Sequence, residues 1–146
     1  MATTHLSIVT PSSTKFDGPA EIVVAPGAAG DLAALPNHAP MLTTLRIGVV
    51  NAGVFDSAAG EAASGPATAR VAFAVDGGFM EVLPDRVIVL TDTALSKDEV
   101  DVEATRAELQ RAEEALAQKT AADDSQERRA VAWARAKLEV AGRAID

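Results

Sequence analysis

The chain has no cysteine and no tyrosine, one tryptophan, four phenylalanines and two histidines among its 146 residues. Without cysteine there is no disulfide framework and no thiolate metal site, which fits a reducing compartment. His5 and His38 alone fall short of the three or four clustered ligands that zinc needs. With aromatics at 3%, the core has to be built from Val, Ile, Leu and Ala. No apolar run approaches the ~20 residues of a membrane-spanning helix. Met1-Ala2-Thr3-Thr4-His5 lacks the basic-then-apolar pattern of a secretory signal. Basic residues are also in deficit: the formal net charge is −8, which argues against nucleic acid and anionic lipid as partners. The expectation is a soluble protein that reaches a membrane only through partners.

Catalytic patterns are missing as well. Gly27-Ala28-Ala29-Gly30 lacks the Lys-Ser or Lys-Thr that completes a phosphate-binding loop, and Gly77-Gly78 sits between strands. A hydrolytic site would have to combine His38 with Ser64 and an aspartate. No Gly-x-Ser-x-Gly elbow accompanies them, and a surface or packed histidine accounts better for His38.

What is present divides near residues 93–101. Only four basic residues precede Lys97 (Lys15, Arg46, Arg70 and Arg86), against nine from Lys97 onward. Every proline lies at or before Pro84, and of the ten glycines only Gly142 lies in the second part. The first part, residues 1–94, reads as short strands: His5–Thr10, Glu21–Ala25, Leu45–Ala52, Arg70–Val75, Phe79–Leu83 and Arg86–Leu90. Turn residues separate them, among them Pro11-Ser12-Ser13, Pro26-Gly27 and Pro84-Asp85. Pro36 and Pro40 bracket a rigid corner, so one strand ends near Leu35 and the next begins near Met41. Residues 56–66, rich in Ala, Gly and Ser, read as a long mobile hairpin loop. Strands at such spacing predict an antiparallel β-sandwich or flattened barrel.

The second part, residues 95–146, reads as two helices at about 101–119 and 125–143. Val102, Leu109 and Leu116 repeat every seven residues with Thr105 and Ala112 between them. Val131, Leu138 and Ile145 do the same with Ala134 and Ala141. Asp101 is placed to cap the first helix, Ser96-Lys97-Asp98-Glu99 forms a capping box upstream, and Asp123-Asp124-Ser125 can cap the second. The short link Thr120-Ala121-Ala122 makes the pair an antiparallel hairpin. Each large seam residue contributes roughly 1.5–3 kcal/mol when buried, while ordering the backbone costs on the order of 1–2 kcal/mol per residue. Alone the hairpin is marginal, and it needs the sandwich, a ligand or a partner to stay closed. Trp133 falls off the seam and is expected to pack on the sandwich when the hairpin is folded, or on a partner when it is extended.

Four stretches carry a family resemblance: His5-Leu6-Ser7-Ile8-Val9-Thr10-Pro11, the run from Gly30 to Gly48 around Pro36-Asn37-His38-Ala39-Pro40, Asp76-Gly77-Gly78-Phe79-Met80-Glu81-Val82, and Val87-Ile88-Val89-Leu90-Thr91-Asp92-Thr93-Ala94. In this order they resemble the epsilon subunit of F-type ATP synthases, the equivalent of the mitochondrial delta subunit. Asp76 stands where the family usually has Ser, and the loop at 56–66 is extended. Both departures are expected to change the surface rather than the fold.

The resemblance implies a non-catalytic central-stalk subunit that couples ion-driven c-ring rotation to ATP synthesis in the catalytic head. By position it puts Thr10, His38 and Thr43 on the gamma subunit and Asp31 at the c-ring. It places the protein peripherally on the cytoplasmic face of the bacterial inner membrane. Some members bind ATP as a regulatory ligand through a motif on the first helix. Here the matching residues are Val102-Glu103-Ala104-Thr105-Arg106-Ala107, with Arg129 or Arg135 from the second helix. Val102 and Glu103 depart from the family's Ile or Leu and Asp, and a solvated charged face is the plain alternative. The hairpin is further implied to extend into the alpha/beta head, with Arg128, Arg129, Arg135, Lys137 and Arg143 on acidic surfaces, and to block ATP hydrolysis. The rival readings are a stand-alone ATP-sensing module and a sandwich hydrolase using His38.

Overall fold

The computed structural model describes residues 3–54, 69–119 and 123–142. Among these, nine strands come first: β1 (Thr4–Val9), β2 (Thr14–Gly27), β3 (Gly30–Ala34), β4 (Met41–Leu45), β5 (Gly48–Val54), β6 (Ala69–Val75), β7 (Gly78–Leu83), β8 (Arg86–Leu90) and β9 (Ala94–Leu95). A single 3-10 turn, Lys97–Glu99, leads into helices α1 (Val102–Gln118) and α2 (Ser125–Gly142). The loop at 56–66, the link Thr120-Ala121-Ala122, and Arg143 and Ile145 lie outside the described residues.

Strand order is β1-β8-β7-β4-β2-β5-β6-β9, with β3 on β2 and β1 closing back onto β2. The ladders are antiparallel except β1–β8, which is parallel. β2 joins the two layers: Thr14 to Ala20 pairs with β1, and from Ala20 onward it pairs with β5 and β3. A strand that changes partners in this way turns a corner between packed sheets. The result is the flattened sandwich that the sequence leads one to expect.

In the first layer, alternation sorts the side chains. Leu6 and Ile8 of β1, Met80 and Val82 of β7, and Val87 and Val89 of β8 point inward and are fully buried. They meet Val23, Val50, Phe73 and Val75 from the second layer in a core whose buried members all lie in strands. β5 and β6 are covered on both sides and so read as near-continuous Val/Ala runs. Val50 and Phe73 enter the main core, while Val49, Ala72 and Ala74 meet Ala136 and Val140 of α2. Trp133 packs against this second cluster, as its off-seam position predicts.

Two strand assignments need correction. Leu45–Ala52 is not one strand; β4 ends at Leu45 and β5 begins at Gly48. β4 pairs with β7 in one layer and β5 with β6 in the other, so the chain turns at Arg46, whose N–H donates to the Pro26 carbonyl at 2.9 Å. β2 also begins at Thr14 rather than Glu21 and passes through Gly18 and Pro19. There it is paired only with β1, so the donor missing from Pro19 is tolerated on a half-edge.

The helix caps form as expected. The Asp101 carboxylate accepts from the Ala104 N–H at 3.1 Å, and Glu99 accepts from the Ser96 N–H and Oγ, both at 3.0 Å. The Asp123 carboxylate takes the Ser125 N–H at 3.0 Å. On the seam, Thr105, Val131 and Ala134 are buried, while Val102, Leu109, Ala112, Leu116, Leu138 and Ala141 are half-buried. α2 carries a second buried face, Ala136, Lys137 and Val140, which the heptad pattern does not describe.

Candidate docking face and helix hairpin

The first layer has its outer face turned away from the helices. The ladders align Val9, Leu90, Phe79 and Thr44 in one cross-strand rank. Ser7, Ile88, Glu81 and Leu42 form the next. Phe79 is 53% exposed, Leu90 50% and Leu42 70%. Leu35 and Met41, also exposed, flank the proline corner beside β4. A half-solvated antiparallel layer should carry polar residues on its outer phase. Here the outer phase of β7 and β8 holds Phe79, Ile88 and Leu90 beside the charged Glu81 and Arg86. Those apolar residues at outward positions are the signal by which Phe79 and Leu90 could have been found from the sequence.

The end of the first rank opens into a cavity of about 390 Å³ lined by Thr10, Asp76, Phe79, Leu90 and Asp92 among others. Gly78 makes this closeness possible. Its φ is +119°, and a Cβ there would lie 2.1 Å from the Leu90 carbonyl oxygen. Asp76 Oδ1 accepts from Thr91 Oγ1 at 3.0 Å and from the Thr93 N–H at 3.1 Å. This residue therefore ties the β6–β7 turn to the segment after β8, in contrast to the surface role expected for it.

The residues singled out from the sequence sit as follows. Thr10 is buried at the cavity's edge, where its Oγ1 donates to the Ser13 carbonyl at 3.0 Å. His38 is half-buried in the proline corner and donates from Nδ1 to the Ala39 carbonyl at 2.7 Å. The corner is held by Asn37, in the left-handed region at φ 66°, whose N–H donates to the Pro84 carbonyl at 2.8 Å. Thr43 is half-buried and lies opposite Met80, on the inward phase of β4, so the outward contacts of that strand belong to Leu42 and Thr44. Asp31 is exposed at the start of β3 and ion-paired with Arg46, which also donates to the Gly27 carbonyl. Ser64 lies outside the described residues.

On the hairpin, Val102 is half-buried and Glu103 exposed. Arg106, Arg135 and Arg129 line three separate cavities. Those of Arg106 and Arg135 share Glu113, whose Oε2 lies 3.5 Å from Arg135 Nη2. Arg129 is instead beside Arg46 and Arg128, where α2 meets the sandwich. Other charges join the helices or brace the start of α2. Lys119 reaches Glu127 at 3.0 Å and holds its carboxyl below the usual range. Asp124 reaches Arg128 at 2.9 Å and raises its pKa further. Among the described residues no group of three acids or histidines could hold a metal ion, and no helix is long and apolar enough to cross a membrane.

Residues 3–97 match the family model described as the ATP synthase delta/epsilon chain, beta-sandwich domain. The chain belongs to the ATP synthase delta/epsilon family. It is 43% identical over 114 residues to the ATP synthase epsilon chain of Desulforamulus reducens, covering 78% of this chain and 77% of the relative. With the ATP synthase epsilon chain of Moorella thermoacetica it is 39% identical over 143 residues, 97% of this chain and 98% of the other. In fold it is similar to a chain in the cryo-EM structure of the Euglena gracilis mitochondrial ATP synthase (OSCP/F1/c-ring, rotational state 1). There the TM-score is 0.72 at 19% identity, over 98% of this chain and 83% of that one. The chain is thus an epsilon-type subunit of the ATP synthase and not its catalytic subunit. The family-model match spans the whole exposed face, and the Moorella match extends through both helices.

Proposed function

We propose that the sandwich, residues 1–94, clamps the central-stalk gamma subunit to the c-ring. Ring rotation driven by protons or sodium ions is thereby passed to the catalytic head, where other subunits make ATP. The observation that carries this reading is the cross-strand pair of exposed Leu90 and Phe79, with half-buried Val9 and exposed Leu42 beside it. A contact that transmits torque needs a fixed apolar centre from which water is excluded. Thr10 and His38 border this face and Thr43 lies on its edge strand; all three are assigned to the gamma side. Asp31, braced by Arg46, is assigned to the c-ring. The chain then sits peripherally on the cytoplasmic face of the bacterial inner membrane, held there by its partners.

The hairpin is proposed to regulate. α2 rests on the sandwich through a small cluster, Val49, Ala72, Ala74, Ala136 and Val140, three of them alanines, with Ile47, Val100 and Trp133 only partly buried against it, so the apolar area that holds it is limited. Such a seat can be left. The extended hairpin would run along gamma and set its basic residues on acidic surfaces of the alpha/beta head, blocking hydrolysis. ATP is the proposed ligand of the closed form, with its phosphates at Arg106 and Arg135.

The clamp is tested by titrating a complex stripped of its epsilon subunit with the full chain and with Phe79→Glu. The ring is exposed, so the variant folds. Its affinity is expected to fall about thirtyfold or more, as for a central hot spot. Undiminished binding would remove this face from the interface.

A further inference from the structure

Resting on the stalk-docking reading, we propose that the cavity beside Phe79 receives an arginine side chain of the stalk partner. Two carboxylates line it, Asp76 and Asp92, and no lysine, arginine or histidine does. Seven other acids of this chain, Asp17, Asp31, Glu99, Glu108, Glu113, Asp124 and Glu127, have cationic partners. Among the described residues neither Asp76 nor Asp92 is in an ion pair. The hydrogen bonds to Asp76 come from a hydroxyl and a backbone N–H, which orient the carboxylate without neutralising it.

Docking makes this charge matter. A partner that covers Phe79 and Leu90 also takes the adjoining carboxylates out of water, and an unpaired buried charge is strongly penalised. The partner must therefore deliver a cation with an apolar stem. Arginine fits best: its planar guanidinium stacks on an aromatic ring and meets carboxylates through two parallel hydrogen bonds. Phe79 supplies the ring and Asp76 and Asp92 the acceptors, around one cavity of about 390 Å³. A partner lacking the cation is rejected by the same acids, so the pocket selects as well as binds.

The test uses the full chain and the epsilon-stripped complex. Asp76→Asn with Asp92→Asn removes both charges, while an amide oxygen can still accept from Thr91 and Thr93. Binding is expected to weaken about tenfold or more at low salt, with a flatter salt dependence. Asp85→Asn, a neutralisation in the turn at the other end of β8, is expected to change it less than about threefold. Asp92→Asn alone, at an exposed position, keeps the test valid should the double variant lose stability. Unchanged binding by the charge variants while Phe79→Glu abolishes it would overturn the arginine pocket and leave the clamp standing. Equal weakening by Asp85→Asn would also overturn it, because the effect would then be long-range. Binding that survives Phe79→Glu defeats the docking reading itself.

Discussion

Lys137 Nζ lies 5.5 Å from the centre of the Trp133 ring, one turn along α2, and 2.6 Å from Glu108 Oε2 on α1. One cation thus joins the two helices beside the side chain that seats α2 on the sandwich. Lys137 is only 9% exposed, whereas Glu108 is well hydrated. The two ends of the pair should respond unequally. Glu108→Ala strands a nearly buried ammonium, at a cost of about 1–3 kcal/mol. Lys137→Met keeps an apolar stem and leaves behind a carboxylate that water can solvate, so it should cost less. Trp133 is the sole tryptophan, so its emission reports hairpin seating directly, shifting to the red on release. Urea titrations followed by fluorescence decide the order, and a Met variant weaker than the Ala variant would refute it.

Gly78→Ala should be far more damaging than its size implies. The added methyl meets backbone, the Leu90 carbonyl, rather than a side chain that can swing away, and φ there is +119°. Strain and clash together are expected to exceed about 3 kcal/mol. A calorimetric Tm within a few degrees of the parent would show that the β7–β8 pair slides more easily than its ladder indicates.

Acid should loosen the joint between sandwich and helices. The hydrogen bond from Lys15, helped by the Ser96 N–H, holds the Glu99 carboxyl below its ordinary range, at a Lys15 Nζ to Glu99 Oε2 distance of 2.6 Å. Because the folded value is the lower one, the contribution is complete above the ordinary carboxylate range and is lost as pH falls through the depressed value. Tm curves of the parent and of Glu99→Gln should lie apart at neutral pH and converge on acidification. Parallel curves would mean that the bridge is dissolved in solvent.

The sandwich and the hairpin were legible in the sequence because alternation, turn residues and caps agreed over most of the chain. The break at Arg46 was not, since residues on both sides of the corner are apolar and no proline or glycine pair marks it. The first half of β2 was hidden by Gly18-Pro19, which reads as a stop although a half-edge tolerates it. The exposed apolar face is hard to read because Phe79 and Leu90 lie within the stretches that carry the family resemblance, and Glu81 and Arg86 keep part of the polar alternation on the same phase. Asp76 looked like a turn substitution until its bonds to Thr91 and Thr93 showed it holding two segments together. The second face of α2 is mostly alanine, too small to write a strong pattern.

The division of labour between sandwich and hairpin can be put to one measurement. The buried members of the main core all come from strands, so a chain ending at Ser96 keeps that core entire. It loses the Lys15–Glu99 bridge and uncovers Val49, Ala72 and Ala74, a modest apolar exposure. The truncated chain should therefore fold, with a lowered Tm, and bind the epsilon-stripped complex as the full chain does, because the Phe79 face is untouched. In ATP hydrolysis by that complex, the full chain is expected to suppress turnover and the truncated one to leave it high. If both bind and neither suppresses, the hairpin regulates nothing in this assembly and its basic residues serve only to close it. If the truncated chain fails to bind although it is folded, the helices themselves take part in docking, and the sandwich face is too small a contact to carry the coupling alone.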